Sequence, residues 1–448
     1  MQKKLLKLAA IFGGIIIAWL FTFFVFGNRT PDSEVTLEFW NVFDTSEQME
    51  PLLADFQAQT GIKVNYRSFT DLAEYRDTLL IELAAGEGPD IFAIHNTWIP
   101  KYQKFLRPLP EEFGYPLENV SRDFVDAVAD TLIIENADNV AQLFGLPMYL
   151  DSLAIFYNKT YFRNILSKAY PAPELTWAGV RNDSMGLTQL ESSNPTGFRL
   201  AGIALGRADN ISRGVDTFYT LYHQFGGEDL TVDNLGNFYK PTLAALEFMT
   251  AFSRNSRNQE YSWNSRITAD LPGQEVAAFA QGRVGMILGF SYYYDQIKNL
   301  IQSREDMIEV SEVGVAPLPQ VADPLTGNPK VAVADFFTLA VAKSSDYPND
   351  AWGLIFELTS REAQERYFEV TKKPTSRRDL INSEKDDPAV GVFVEQAVYA
   401  DTLKLADDEI FDAAIADVLD RISNGEITPA DGASELSNVF QTTFAKSE

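Results

Sequence analysis

The sequence predicts an α/β protein of two lobes that are joined by crossing strands and preceded by one N-terminal transmembrane helix. Three observations carry this prediction: a β-α-β-α-β alternation after residue 35, two long strand-like runs with polar centres, and an uncharged apolar run near the N-terminus. The chain has 448 residues, more than one compact core usually holds, so two domains are expected.

The segment after residue 35 alternates between strand-like and helical patterns. The runs VTLEFW (35–40), IKVNYRSF (62–69) and IFAI (91–94) have the composition of strands. Between them, apolar residues recur at helical spacing, with Ser46 and Asp71 as candidate N-caps. This order is typical of a parallel, helix-covered sheet, in which ligands bind at the carboxyl ends of the strands.

Two long strand-like runs follow, and each has an aspartate near its centre. LFGLPMYLDSLAIFYN (143–158) contains Asp151, and VAVADFFTLAVA (331–342) contains Asp335. Together with MILGF (286–290), these runs look like connections that pass between two sheets. The chain is therefore not expected to divide into a first and a second half.

The N-terminal segment predicts a membrane anchor. Lys3, Lys4 and Lys7 precede an uncharged run from Leu8 to Gly27, which as a helix of about 20 residues is long enough to span the hydrocarbon core. The run stays bulky to its end and lacks a small-residue cleavage site, so an uncleaved anchor is expected, with secretion after signal cleavage as the alternative. The lysines place the remainder of the chain at the outer face of the cytoplasmic membrane.

Charge and composition argue against several classes of function. A formal net charge of -26 argues against nucleic acid as a partner. The chain has no cysteine, which excludes disulfides, thiolate catalysis and zinc–thiolate sites. Its two histidines belong to no recognisable catalytic motif. We therefore expect no catalytic residue, no metal and no cofactor, and a protein that is not an enzyme.

Eight segments, in the same order, resemble the family 1 extracellular solute-binding proteins of ABC importers, the maltose and multiple-sugar type. They include VTLEFWNVFD (35–44), LLIELAAGEGPDIFAIHNTW (79–98), LFGLPMYLDSLAIFYNKTYF (143–162) and AFAQGRVGMILGFSYYYDQI (278–297). The resemblance runs from about Val35 to the C-terminus. It implies a two-lobe, periplasmic-binding-protein-like fold of type II that captures a mono- or oligosaccharide and delivers it, as a monomer, to ABC transporter permease subunits.

The resemblance also implies lobe boundaries. Residues 1–34 would be the anchor and linker. The first lobe would contain 35–147 and 286–335, and the second 148–285 and 336–448. The chain departs from the family in two features: it lacks the lipid-bearing cysteine, and the loop VADFF carries bulky residues where many relatives are glycine-rich.

The most distinctive candidate site is the run of three tyrosines in MILGFSYYYD (286–295). Sugar rings pack on aromatic faces, and their hydroxyls need fixed polar partners. Consecutive side chains at a helix start point about 100° apart. Tyr292, next to Ser291, is therefore expected to face the cleft, while Tyr293 or Tyr294 packs inside the first lobe.

The remaining candidates are aromatic and polar residues that the resemblance places near the cleft. Aromatic side chains would contact sugar rings, and carboxylates would accept hydrogen bonds from sugar hydroxyls. These candidates are Phe43, Asp44, Phe69, Asn96, Trp98, Asp151, Trp263, Ser291, Asp335 and Phe336. For Asp151 and Asp335, a structural role in the hinge is an equally good interpretation.

The sequence is also compatible with two other functions. Tyr292 and Tyr293, with His95 and a carboxylate, resemble the phenolate site of ferric-ion-binding receptors of the same broad fold. A glycoside hydrolase or lyase would instead use two cleft carboxylates at a set separation.

Overall fold

The computed structural model describes residues 35–192, 194–230, 236–254, 257–269, 274–405 and 407–444. These residues form two lobes, each built on its own sheet, and a small sheet that joins them. The expected transmembrane helix (8–27) lies outside the described residues. Within the ranges given above, no helix combines the length and the apolar character needed to cross a membrane.

The described residues form both strands and helices, which alternate between Thr36 and His95 as predicted. The strands are β1 (Thr36–Val42), β2 (Lys63–Phe69), β3 (Ile91–His95), β4 (Leu106–Arg107), β5 (Ile133–Glu135), β6 (Ala141–Leu143), β7 (Leu146–Pro147), β8 (Asp151–Ser152), β9 (Ala154–Asn158), β10 (Gln189–Glu191), β11 (Asn194–Ile203), β12 (Val284–Gly289), β13 (Val313–Ala316), β14 (Ala332–Asp335), β15 (Phe337–Ala342) and β16 (Ala400–Asp401). The helices are α1 (Ser46–Thr60), α2 (Leu72–Ala85), α3 (Ile99–Tyr102), α4 (Glu118–Asp123), α5 (Asp126–Leu132), α6 (Lys159–Asn164), α7 (Trp177–Leu187), α8 (Gly214–Gln224), α9 (Tyr239–Thr250), α10 (Gln274–Ala280), α11 (Tyr293–Ser303), α12 (Pro348–Leu358), α13 (Arg361–Thr371), α14 (Ile381–Glu384), α15 (Gly391–Gln396), α16 (Asp408–Ser423) and α17 (Pro429–Phe444).

The first lobe is built on a sheet with the order β2-β1-β3-β15-β4, and β7 also pairs with β15. β1 pairs in parallel with both β2 and β3, as the alternation of strands and helices predicts. Asp71 caps α2, as predicted, and α1 ends at Gly61, whose φ of 74° is left-handed and suits a residue without Cβ. The cap of α1 is Thr45, one residue before the predicted Ser46, because its side chain accepts from the amide of Gln48.

The second lobe is built on a sheet with the order β10-β11-β12-β9-β13. β12 and β13 both run antiparallel to β9, and β11 runs parallel to β12. The C-terminal helices α16 and α17 pack on each other and on α9, and α16 also contacts α8. The C-terminal part of the chain therefore belongs to this lobe.

A three-stranded hinge sheet with the order β16-β14-β8 joins the lobes. β14 is antiparallel to β8 and parallel to β16. β8 leads into β9 of the second sheet, whereas β14 leads into β15 of the first sheet. The two long runs with central aspartates are thus crossing strands, as the sequence predicts.

The expected lobe boundaries are wrong for two segments. Residues 286–335 were assigned to the first lobe, but β12 and β13 pair with β9 in the second sheet. Residues 336–448 were assigned to the second lobe, but β15 pairs with β3 in the first. The physical reason is that β12, which is buried along its whole length, is an interior strand of the second sheet rather than a crossing.

Candidate functional site

A cavity of about 80 Å³ lies between the lobes, beside the hinge sheet. The first lobe contributes the loop after β3, the second contributes α8 and the start of α16, and the hinge contributes β14. Its polar lining includes Asp216, Asp335, Asp408, Asp412 and His95. The carboxyl end of a parallel strand, β3, therefore meets the cavity, as expected for a sheet of this kind.

His95 and Asp335 form a hydrogen-bonded pair at this cavity. The Nε2 atom of His95 lies 3.0 Å from Oδ2 of Asp335, and its Nδ1 atom lies 2.7 Å from Oγ1 of Thr97. Burial disfavours a charged imidazole, but the carboxylate of Asp335 outweighs burial and raises the pKa of His95. Burial likewise disfavours the carboxylate, but the charge of His95 lowers the pKa of Asp335. The pair links β3 of the first lobe to β14 of the hinge.

Asp151 is buried in β8, and its carboxylate accepts hydrogen bonds from two serines. The amide of Ser291 donates to Oδ2 at 2.9 Å and the Ser291 hydroxyl at 2.5 Å, while the amide of Ser152 donates to Oδ1 at 2.8 Å. Burial raises the pKa of Asp151 to about 7, although these hydrogen bonds oppose the rise. The contacts favour the hinge role for Asp151 and for Ser291, which precedes α11.

The three tyrosines separate in the way that a helix start predicts. Tyr292 is 40% exposed, whereas Tyr293 is 1% exposed and its hydroxyl donates to Oε1 of Glu275 at 2.8 Å. A Cβ atom on Gly289 would come within 2.6 Å of the Tyr293 ring, so this close approach requires glycine. α11 packs on α10, and so the expectation that this helix enters the first lobe is wrong.

Tyr292 lies among the charged groups of the cleft. Burial raises its pKa, Arg213 opposes that rise, and Asp216 adds to it. The Tyr292 ring packs beside Phe290, with 6.3 Å between ring centroids. Arg213 lies 5.6 Å from the Phe290 ring, and its Nη1 atom is 3.4 Å from Oδ2 of Asp216. The exposed ring of Tyr292 thus lies near the ion pair of Arg213 and Asp216.

Phe43 is the exposed aromatic candidate on the first lobe. It is 47% exposed, and its φ of 71° lies in the left-handed region that bulky residues rarely adopt. Its ring packs edge-on against Phe337 at 6.1 Å, and Phe337 packs against His95 at 5.0 Å. A strained backbone that holds an apolar ring in solvent favours a functional position.

Three predicted aromatic contacts are instead interior side chains. Trp263 is fully buried, and its Nε1 donates to Oδ1 of Asn210 at 3.0 Å. Phe69 and Phe336 are also buried. The prediction that these rings face the cleft is wrong, because each contributes to a hydrophobic core.

Asp44 is also buried, and its carboxylate is held inside the first lobe. Lys373 donates to Oδ1 at 2.6 Å, and Tyr367 and Asn41 donate to Oδ2 at 2.8 and 3.2 Å. The prediction that Asp44 binds the solute is wrong for this arrangement, because the surrounding donors already hold its carboxylate. Lys373 is a partly buried cation that also lies 4.5 Å from the Tyr149 ring.

Asn96 and Trp98 flank the cavity without offering an open platform. Asn96 lines the cavity, but its side chain joins the backbone of β14 and the following residue, donating to the carbonyl of Ala334 at 3.3 Å and accepting from the amide of Phe336 at 3.4 Å. Trp98 is buried, and its Nε1 donates to Oδ2 of Asp408 at 2.8 Å. The expectation that Trp98 is an exposed aromatic contact is therefore wrong.

Sequence reasoning missed the residues that α8 and α16 contribute to the cavity. Tyr219 donates to Oδ1 of Asp412 at 2.7 Å, and burial raises the pKa of Asp412 to about 7. A signal was present, because Asp216 and Tyr219 are three residues apart, and Asp408 and Asp412 are four apart, which places each pair on one helix face. Carboxylates aligned with the apolar face of a helix favour a buried polar site.

The ferric site considered as an alternative is not formed among the described residues. It requires the hydroxyls of Tyr292 and Tyr293 together, but that of Tyr293 is turned into the second lobe toward Glu275. Among the residues that the structure describes, no group of three or more acidic, histidine or cysteine side chains is arranged to hold a metal ion.

A comparison with protein families identifies the class. Residues 44–365 match the family described as bacterial extracellular solute-binding protein. The chain belongs to this family. No curated protein sequence matches it significantly.

Solved structures show the same fold. The chain is similar to the sugar-binding protein MalE from Xanthomonas citri, with 22% identity, a TM-score of 0.73 and coverage of 92% of this chain and 98% of that one. It is similar to a Thermotoga lettingae solute-binding protein bound with α-D-tagatose, with 21% identity, a TM-score of 0.67 and coverage of 91% and 100%. A cyclic α-maltosyl-1,6-maltose binding protein from Arthrobacter globiformis has 17% identity, a TM-score of 0.71 and coverage of 92% and 100%. The fold is thus the two-lobe, periplasmic-binding-protein-like fold.

Proposed function

We propose that the protein is a non-catalytic extracytoplasmic receptor that captures a carbohydrate between its lobes and delivers it to an ABC importer. One observation carries the proposal: the partly exposed ring of Tyr292 packs beside Phe290, which lines the interlobe cavity, and lies within electrostatic range of Asp216 and Asp335 in the same lining. Sugars present apolar faces and several hydroxyls, so they match a site of this mixed character. The sugar ligands named for the similar structures support the same class of solute.

Three residues would divide the recognition between them. Tyr292 would stack on a sugar ring from the second lobe, and Phe43 would contact the sugar from the first. His95 hydrogen-bonds to Oδ2 of Asp335, and Oδ1 of the same carboxylate would accept a hydrogen bond from a sugar hydroxyl. Such hydrogen bonds to a carboxylate are among the strong ones.

Capture would work by closure of the lobes about the hinge sheet. The solute would contact both lobes only in the closed form, and so it would shift the population toward that form. The receptor would act as a monomer without a cofactor, held at the outer face of the cytoplasmic membrane by the helix at 8–27.

A thermal-shift screen tests the proposed solute class. The full chain in a mild detergent is heated with a panel of mono- and oligosaccharides, and with amino acids and ferric ion as controls. A solute present at 100 times its Kd stabilises the fold by about 2.7 kcal/mol, enough to move the melting midpoint visibly. We expect at least one saccharide to raise the midpoint and to be recovered unchanged.

The other outcomes would each contradict the proposal. A coloured, stabilising ferric complex would favour metal capture, and cleavage of an oligosaccharide would favour a glycoside-active enzyme. A melting midpoint that only amino acids raise would show that the protein binds a different class of solute.

Cell fractionation tests the anchor. We expect the protein in the membrane fraction with its N-terminal segment intact. Mature protein that begins near Asn28 and is released into the medium would show a cleaved signal instead.

A further inference from the structure

Asp408 lies at the start of α16 in the second lobe. Its carboxylate accepts hydrogen bonds from three side chains of the first lobe. Arg76 donates through Nη2 to Oδ1 at 2.8 Å. Trp98 donates through Nε1 to Oδ2 at 2.8 Å, and the hydroxyl of Thr97 donates to the same oxygen at 3.1 Å. The carboxylate of Asp408 therefore accepts three hydrogen bonds across the cleft.

Neighbouring contacts strengthen this junction. Lys101 of α3 lies 2.9 Å from Oδ2 of Asp407, which is the N-cap of α16. The guanidinium of Arg76 packs 4.7 Å from the centre of the Trp98 ring. Asp408 and Trp98 are both buried. Buried hydrogen bonds to a charged group are stronger than exposed ion pairs, so this junction has substantial weight in the balance between open and closed lobes.

The junction is on the solute side of the hinge. Asp408 lines the same cavity as His95 and Asp335. Its donors come from α2 and from the loop after β3, whereas α16 packs on α8, α9 and α17 of the second lobe. Opening the cleft at this cavity would therefore have to separate Asp408 from its donors.

We propose that Asp408 and its three donors form a latch that raises the fraction of molecules with closed lobes before any solute binds. The proposal rests on the proposed function in taking this cleft as the binding site. A receptor whose competent conformation is already populated loses less affinity to the conformational change. The latch thus raises solute affinity by favouring the closed lobes. It requires a carboxylate side chain at position 408.

Distance measurements on the full chain without solute test the latch. The chain has no native cysteine, so two introduced cysteines can carry a pair of spin labels without background. Glu50→Cys on α1 and Asn299→Cys on α11 place one label on each lobe at exposed positions. Pulsed electron paramagnetic resonance then gives the distribution of interlobe distances and the ratio of closed to open molecules.

Asp408→Asn keeps the size of the side chain and removes its charge. We expect the ratio of closed to open molecules to fall about 10-fold or more, the effect of weakening hydrogen bonds to a charged acceptor. Asp417→Asn is the matched control, because it makes the same change on the same helix, where Asp417 pairs with Arg421 inside the second lobe at 3.0 Å. The control should keep the parent distribution.

Trp98→Phe keeps an aromatic ring but removes the Nε1 donor together with the five-membered ring of the indole. It should open the lobes in the same direction by a smaller factor, and it keeps the test decisive if Asp408→Asn does not fold. If the folded variants keep the distance distribution of the parent, the junction does not change the ratio of closed to open molecules and the proposal is wrong. A parent that is wholly open without solute would also overturn the proposal. Because no sugar is added, these outcomes are independent of whether the protein binds carbohydrate.

Discussion

Asp151 and Asp335 lie directly opposite each other across the antiparallel strands β8 and β14 of the hinge sheet. Like charges at such a position destabilise a sheet, but each aspartate here has a partner of its own. Ser291, from the second lobe, donates to Asp151, and His95, from the first lobe, pairs with Asp335. The two aspartates therefore tie the hinge to both lobes.

Asp151→Asn should change how stability depends on pH. An unfolded aspartate titrates near pH 3.9, whereas burial raises the pKa of Asp151 to about 7 in the folded protein. The protonated carboxyl thus stabilises the fold fully below about pH 4, and this contribution is lost as pH rises through about 7. Between pH 5 and pH 8, the free energy of unfolding of the parent should fall by on the order of 2 kcal/mol relative to the variant.

Urea denaturation at the two pH values measures this difference. Asp412 and Glu384, whose pKa values burial also raises to about 7, are present in both proteins and cancel in the comparison. Parallel pH profiles for parent and variant would show that Asp151 does not titrate in this range.

Asp335→Asn should lower the pKa of His95 while leaving that of His223 in place. Although burial opposes it, the carboxylate of Asp335 raises the pKa of His95, and His223 has a separate partner, Asp401, whose hydrogen bond raises its pKa. Charged His95 thus stabilises the fold below its unfolded pKa near 6.5, and this contribution is lost as pH rises through the folded value.

Proton NMR can follow both rings, because the chain has two histidines and His223→Gln assigns the signals. A His95 pKa that is the same with aspartate and asparagine at position 335 would show that the carboxylate of Asp335 does not raise it.

Tyr292→Ala and Tyr293→Phe should separate binding from stability. Loss of the exposed Tyr292 ring should cost about 1–3 kcal/mol of binding, or roughly 5- to 150-fold in affinity, with a normal melting midpoint. Tyr293→Phe removes the tyrosine hydroxyl that donates to buried Glu275 and should cost about 1–3 kcal/mol of stability with affinity unchanged. Calorimetric titration and thermal melts of both variants check this, and the reverse pattern would mean that the roles of the two rings are exchanged.

Lys373→Met should destabilise the first lobe strongly. It leaves the buried carboxylate of Asp44 without its cation. Removing one partner of a fully buried ion pair typically costs about 3–5 kcal/mol, and because Lys373 is partly exposed, we expect a loss at the lower end of that range. Adding Asp44→Asn should recover part of that loss. Urea denaturation of the two single variants and the double variant gives the coupling, and additive losses would show that the pair does not interact.

Much of the fold could be predicted from the sequence because its signals are local. Strand composition, helical spacing and the caps at Asp71 and Gly61 each depend on neighbouring residues. The lobe assignment of 286–335 could not be predicted in this way, because an apolar run of strand length does not specify its partner. β12 pairs with β9, which lies more than 100 residues earlier in the chain.

The features of the site likewise differ in whether they depend on neighbouring or on distant residues. The exposure of Tyr292 follows from the geometry of a helix start, which is local. The role of Asp408 depends on Arg76, Thr97 and Trp98, which are 332, 311 and 310 residues away in the chain. Trp263 could not be recognised as buried, because its burial depends on Asn210 and on the packing of the second lobe.

A structure of the protein with the saccharide that most raises its melting midpoint tests the central claim most directly. The account predicts one sugar between the lobes, with a ring face on Tyr292 and a hydroxyl within hydrogen-bond distance of Asp335. A sugar bound on the outer surface of one lobe, with the cleft between Tyr292 and Asp335 empty, would contradict it.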